Sequence, residues 1–377
     1  MSVLPSGLFV SKPLAFTLVC LLGIALNCFL LWPVLPYAVH GDNDFLNLYA
    51  GSVLAGSHHL YDIDAVMRVQ ARIWEHPHIL PFTRLPFYGV LISPLRLLGY
   101  PWVYWTWQMV CLAAVVAAIF VLPARDRRFT AVACCWSLPL MNGFLMGQDV
   151  PIVVLALAAS LGLLFRGKDF VAGCVLSLCL IKFNLFLALP ILVLGRRLWK
   201  FGLGAAVGTI ALLAVSFLAE GWRWPVGYLS VLRLPSTTPL YPGLPNLRGL
   251  FANLPHVDYW QAAGTAVAAA LAWVASRAEN ARLAIAAVLL CGLLVSHHAF
   301  LFDAFVVVPA AVLLWDGAAN AMHRFAACLL ACPLVYLPML TPRAVPHVAI
   351  VFLACLAMLA VWAEMERRAA RLRAGTE

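Results

Sequence analysis

Charge is what this 377-residue chain has least of. Only 11% of its residues are charged and 64% are hydrophobic, against ~25% charged in an ordinary soluble domain. That deficit excludes a water-soluble globular fold. Cysteine pairs with metal-site spacing are absent: the 11 cysteines form no Cys-x-x-Cys and lie in apolar runs, as Cys20, Cys134, Cys135, Cys179 and Cys355 do. They read as small hydrophobes, with neither a disulfide nor a metal role. No Rossmann-like alternation of strand and helix patterns is present, so no nucleotide-binding domain is predicted. Basic residues are scattered among short loops rather than arrayed on one face, which argues against nucleic acid as a partner. Internal repeats and low-complexity segments are also missing.

What is present is a series of apolar runs of roughly 17–25 residues, the pattern of a polytopic helical membrane protein. The predicted fold is all-α, one integral membrane domain over residues 1–377. The runs Leu14–Leu35, Trp102–Leu122, Thr130–Met146, Val150–Phe165, Phe201–Leu218, Tyr259–Ser276, Leu283–Val295, Ala299–Leu314, Phe325–Leu340 and Val348–Trp362 give about ten full spans. The first ends in Trp32, Pro33 and Pro36 with no small-residue cleavage site, and reads as an anchor rather than a removable signal. The segment 82–98 holds Arg84, Pro86, Pro94 and Arg96 and reads as interfacial or re-entrant. Between Lys168 and Arg196 lie 27 residues, too many for one straight span and too few for two. Two half-length helices, Phe170–Ile181 and Phe183–Leu194, meeting at Lys182 would fit; one long tilted helix is the alternative.

Sixteen of the 25 Lys and Arg residues fall in loops on one side of this arrangement, from Lys12 through Arg125–Arg128, Arg166/Lys168, Arg196–Lys200, Arg277/Arg282 and Arg324 to the tail Arg367–Arg373. The positive-inside rule makes that side cytoplasmic. The loops 37–81 and 220–258 are then extracytoplasmic, and a multi-pass protein of the plasma membrane with an outward-facing site is expected.

Against this apolar background one stretch stands out. His40–Asp64 gathers Asp42, Asp44, Asp62 and Asp64 with His40, His58, His59, Tyr49 and Tyr61. Carboxylates at the mouth of a membrane helix are costly to desolvate and usually mark a wet site with a task, although a solvated loop between spans would also hold them. Asp44 is ranked above Asp42. Phe45 would fix its backbone at the membrane boundary, and a helix starting near residue 44 would favour the ionised carboxylate at its N-terminus. The other polar residues that composition does not explain fall on the same face: Arg84, Gln148, Lys182, Asn246, Arg248, His297, His298 and Asp303. Lys182 interrupts an apolar run, so a phosphate partner and a snorkelling ammonium are both open. Gln148 could bind a sugar hydroxyl or simply end a helix. The His–Asp set could act on substrate or be structural. A metal held by His297, His298 and Asp303 is not expected, because adjacent helical residues diverge by ~100°.

The stretch also resembles the first outer loop of glycosyltransferase family 87. Asp44-Phe45, Tyr49, Ala50-Gly51, Gly56 and Leu60-Tyr61-Asp62 carry that likeness. Shorter likenesses follow in Gly147-Gln148, in Lys182…Pro190…Arg196-Arg197-Leu198-Trp199, in Pro245-Asn246-Leu247-Arg248-Gly249 and in His297-His298…Asp303. Met146 stands where the family pattern has Asn, and Phe183 where many members have Pro. The resemblance implies a GT-C-type glycosyltransferase that uses no cofactor and transfers one sugar, with mannose the expected one, from a polyprenyl-phosphate donor. The acceptor would be a lipid-linked glycan or glycolipid, with membrane lipids around both substrates. It implies Asp44 as the catalytic carboxylate and leaves Asp42 uncovered. Asp44 would act as general base, with Lys182 and Arg84, Arg248 or a histidine on the departing phosphate, and Tyr49, Asp42 and Asn246 among the substrate contacts; such a displacement inverts the anomeric centre. A lipid-linked-sugar flippase would share the intramembrane charge without needing Asp44. An oligosaccharide-transferring enzyme would need larger outer loops.

Overall fold

The computed structural model describes residues 12–74, 80–100, 102–234, 237, 240–340 and 345–374. Among them every regular element is helical. Five helices are long and apolar enough to cross a membrane: Pro13–Leu30, Trp102–Val121, Asp169–Phe186, Trp199–Glu220 and His347–Arg373. Ala321–Ala331 and Pro333–Leu340, bent by 58°, would make a sixth as one broken span. The ten full spans expected from hydropathy therefore do not appear as ten long helices. Several apolar runs are folded as shorter or interrupted pieces. The run over 130–146 breaks at Ser137, whose hydroxyl accepts from Leu140 N and caps a new helix, Leu138–Leu145, with Pro139 in its first turn. The run over 299–314 opens as a 3-10 turn, Leu301–Val306, before Val307–Asp316. The segment 82–98 forms a seven-residue helix, Pro86–Ile92, and a 3-10 turn, Ser93–Leu97; at 1.5 Å per residue that helix is ~10 Å long, too short to span.

Between residues 169 and 196 the chain rises, breaks and returns. Helix Asp169–Leu176 lies along Trp199–Glu220 with both running the same way: Phe170 meets Gly204 and Ser177 meets Gly208. The approach needs glycine, since a Cβ on Gly204 would sit 2.0 Å from Phe170 O and one on Gly173 2.0 Å from Phe201 O. Lys182 then leaves helical geometry, at φ −132° and ψ 58°. Helix Leu189–Arg196 comes back toward the start of the same neighbour, with Val193 beside Gly202 and Gly195 beside Ser276. The two arms therefore form a hairpin with Lys182 near its tip.

Helix Ala281–Val295 is the centre of the bundle, buried continuously from Leu283 to Leu294. It packs against Val257–Ser276, Val307–Asp316 and the C-terminal helix His347–Ala374. One end of the bundle is basic and tied by polar bonds: Arg282 to Pro123 O at 3.0 Å, Arg196 to Ala278 O at 2.6 Å and Asn280 to Gly317 O at 3.1 Å. The opposite end carries the short helices of the 37–81 and 220–258 segments, including Phe45–Leu54, Ile63–Gln70 and Trp224–Leu232. Residues 75–79, 235, 236, 238 and 239 of those segments lie outside the described residues.

Candidate active site

The position of Asp44 is set by its neighbours on both sides. Asn43 is buried; its amide donates to Leu145 O at 2.9 Å and Tyr104 OH at 3.2 Å, and its oxygen accepts from Phe45 N at 3.0 Å. The Phe45 ring is fully buried within 5.6–6.1 Å of the Tyr100, Tyr104 and Trp107 ring centres. Gly147 closes on this pair at φ +64°, where a Cβ would lie 2.6 Å from Phe45 Cβ. Asp44 precedes helix Phe45–Leu54 without capping it through its side chain. Its carboxylate accepts instead from Gln148 Nε2 at 2.7 Å.

Gln148 joins three charged side chains through one amide. While its nitrogen donates to Asp44, its oxygen accepts from Lys182 Nζ at 3.2 Å and Arg84 Nη2 at 3.3 Å. Behind it, Asp149 is wholly buried and holds Arg84 by two bonds, Nε at 2.7 Å and Nη2 at 3.0 Å. Lys182 lies 3.6 Å from Asp149 and 2.6 Å from Asp303 Oδ1, with its ammonium 4.7 Å from the Phe302 ring centre. The second Asp303 oxygen accepts from Phe300 N at 2.9 Å and fixes the turn that carries it. Three carboxylates and two basic side chains thus share one cluster, built from the 37–81 segment, the residues leading into Pro86–Ile92, the 147–149 turn, the hairpin tip and the turn before Val307–Asp316.

The electrostatics separate the carboxylates. Burial raises the Asp44 pKa above the ordinary aspartate value, against the lowering effects of the Gln148 hydrogen bond and of the Lys182 and Arg84 charges. Burial also opposes ionisation of Asp149, but there Arg84 and Lys182 prevail and the pKa falls. Burial pushes His298 down to about 4, so it is neutral at pH 7. Burial thus favours the protonated form of Asp44, while Asp149 in the same cluster is held ionised.

Asp44, Arg84, Gln148, Lys182 and His298 line one cavity of about 110 Å³, together with Asn47, Thr83 and Thr237. Asp303 reaches this group through Lys182. The remaining sequence candidates lie elsewhere. Asp42 does not line the cavity, and Tyr49 packs edge-on against Tyr100 at 5.5 Å. Asn246 caps Leu247–Leu250 and donates to Ser296 O at 2.8 Å. Arg248 bonds Asp258 at 2.8 Å and Gln261 at 3.2 Å. His297 lines an adjoining cavity of about 220 Å³, shared with Arg84 and His298. Among the described residues no group of three or more His, Cys, Asp or Glu is placed to hold a metal ion. The residue that sequence reasoning passed over is Asp149. Its signal was a carboxylate at the mouth of the apolar helix Val150–Leu164, which requires a buried counter-charge.

A comparison with protein-family models matches residues 82–309 to "Glycosyltransferase family 87". No curated protein and no solved structure matches the chain. The matched segment opens just before Arg84 and closes just after Asp303, so it holds Gln148, Asp149, Lys182 and His298 as well. The Asp44 motif lies outside it and joins this group through Gln148. The match covers more than half of the chain, and with it the helical, apolar fold agrees: this chain belongs to glycosyltransferase family 87.

Proposed function

We propose that this membrane glycosyltransferase transfers a single sugar, mannose, from a polyprenyl-phosphate donor to a lipid-linked glycan or glycolipid. The observation that carries the lipid-linked substrate is a series of cavities joined by shared walls. The cavity at Asp44 shares Thr83, Arg84, Thr237 and His298 with the 220 Å³ cavity beside it. That second cavity shares Phe183 and Leu187 with an apolar groove of about 530 Å³ between the hairpin arms and Trp199–Glu220. The groove is walled by Leu180, Phe186, Leu189 and Phe201, side chains suited to an isoprenoid tail. A molecule with an apolar tail, a phosphate and a sugar meets those three environments in that order.

In this reading the acceptor hydroxyl lies against Asp44. Its oxygen attacks the anomeric carbon, its proton passes to the Asp44 carboxylate, and the bond from that carbon to the phosphate oxygen breaks, leaving the electron pair on polyprenyl phosphate. The face of attack is opposite the leaving group, so the anomeric centre inverts. General-base assistance of this kind contributes ~10²–10⁴-fold. The leaving phosphate gains negative charge, which Arg84 and Lys182 stabilise in a cavity already fixed by Asp149, Asp303 and Gln148. The basic end of the bundle faces the cytoplasm by the positive-inside rule, which turns the cluster outward from the plasma membrane.

The test is reconstitution in liposomes with polyprenyl-phosphate-mannose and a glycolipid acceptor. Sugar transfer with equimolar release of polyprenyl phosphate is expected. Movement of intact donor across the bilayer without that release would replace the enzyme reading with that of a flippase.

A further inference from the structure

Outside the carboxylate cluster the same end of the molecule holds a second, larger cavity, of about 510 Å³. We propose that it is a carbohydrate subsite for a neutral sugar unit of the acceptor. Its role as an acceptor subsite rests on the functional reading above; its ability to bind a sugar does not. His58, Asp62, Glu220, Trp222, Arg223 and Trp224 line it, and none of these lines the Asp44 cavity. The volume lies within the ~300–1,000 Å³ of small-ligand sites. A pair of rings stands between this cavity and the 220 Å³ cavity that adjoins the Asp44 site. Tyr61 belongs to this cavity and Tyr228 to the chamber beside Arg84, with ring centres 5.5 Å apart. Tyr61 OH donates to Arg84 O at 2.7 Å, which ties the pair to the cluster.

The lining has the chemistry of polyol recognition, an aromatic platform with acceptors and donors around it. Trp222 is 74% exposed and offers an open ring. Glu220 is buried and its Oε1 accepts from Gly56 N at 2.7 Å, which holds the turn that carries His58 at φ +62°. Trp224 is only 8% exposed, lines the cavity, and its indole N–H has no acceptor among the described residues. A buried donor in that state is better off with a ligand oxygen. Tryptophans at a membrane boundary commonly serve as anchors, but that role needs neither a concavity nor an unpartnered buried N–H. Charge selects among ligands. Two carboxylates face one arginine here, which disfavours a phosphate. Arg223, 5.0 Å from the Trp222 ring centre, sets a positive charge beside the platform, which disfavours an ammonium headgroup.

Saturation-transfer NMR on the full chain in lipid nanodiscs tests this, with mannotriose and maltotriose as probes and tetramethylammonium and inorganic phosphate as controls. Either trisaccharide should receive saturation from the wild type and from Asp44→Asn. Trp222→Ala, a change at an exposed side chain, should abolish it, and Trp224→Phe should weaken binding several-fold by removing only the N–H. The proposal is overturned if neither trisaccharide binds, if Trp222→Ala binds as the wild type does, if only Asp44→Asn loses binding, or if a control displaces the sugar. Since no turnover is measured, failure here leaves the transfer reaction untouched, and failure of transfer leaves this binding in place.

Discussion

At the scale of single residues, the cluster depends on charges that are buried and matched. Removing one partner of a buried pair leaves the other uncompensated, at a cost of ~3–5 kcal/mol. Asp149 is fully buried beside Arg84, so Asp149→Leu should lower the thermal unfolding temperature strongly, and Asp149→Leu with Arg84→Met should recover much of the loss. Equal destabilisation in the single and double variants would show that the pair is not the unit. Gln148 yields a prediction in pH. Asp44 has a raised pKa, and in the proposed reaction it must be ionised to accept a proton, so kcat/KM should fall as pH drops through that pKa. The Gln148 hydrogen bond lowers the Asp44 pKa, so Gln148→Ala should move this acid limb to higher pH. A limb that stays in place would detach Gln148 from the base. The polar members Arg84, Gln148, Lys182 and Asp303 are legible in the sequence because little else explains charge in so apolar a chain. Asp149 is not, since nothing in the sequence shows that a carboxylate at the start of Val150–Leu164 is buried against Arg84. Asn246 and Arg248 fit a site by their motif, and what the sequence does not show is that their bonds go to Ser296 O, Asp258 and Gln261.

Among elements, the hairpin between residues 169 and 196 matters most, because it delivers Lys182 to the cluster and walls the apolar groove. Its break is legible from two basic flanks set one and a half spans apart and a lone lysine between them. Its docking is not legible, because Gly204 and Gly208 mark a close helix contact without naming the partner. The partner is Asp169–Leu176, and the contact leaves no room for a side chain. Gly204→Leu should therefore push the hairpin off Trp199–Glu220, costing at least ~1–3 kcal/mol and weakening retention of a polyprenyl-phosphate lipid. Wild-type stability and lipid retention in that variant would contradict the packing. The apolar runs themselves are legible as helices, but their count as spans is not. Hydropathy records composition, and cannot see that Ser137 restarts a helix or that residues 301–306 form a 3-10 turn.

The whole molecule has two unlike ends. The basic end is closed by loop-to-loop bonds; the other end opens into the charged cluster, the second cavity and the groove. If the basic end is cytoplasmic, cysteines introduced at Ser57 and Asn253, both exposed, should react with an impermeant thiol reagent on intact cells, whereas Arg371→Cys should react only after permeabilisation. The reverse pattern would turn the site inward. The most direct measurement is single-turnover sugar transfer from a polyprenyl-phosphate donor by the purified protein in nanodiscs, comparing wild type, Asp44→Asn and Asp42→Asn. Asp44 lines the cavity beside Gln148 and Asp42 does not. Asp44→Asn should lose at least ~10²-fold in rate with donor binding retained, and Asp42→Asn should keep most activity. An Asp44→Asn protein that turns over at close to the wild-type rate would place the base elsewhere and contradict the account.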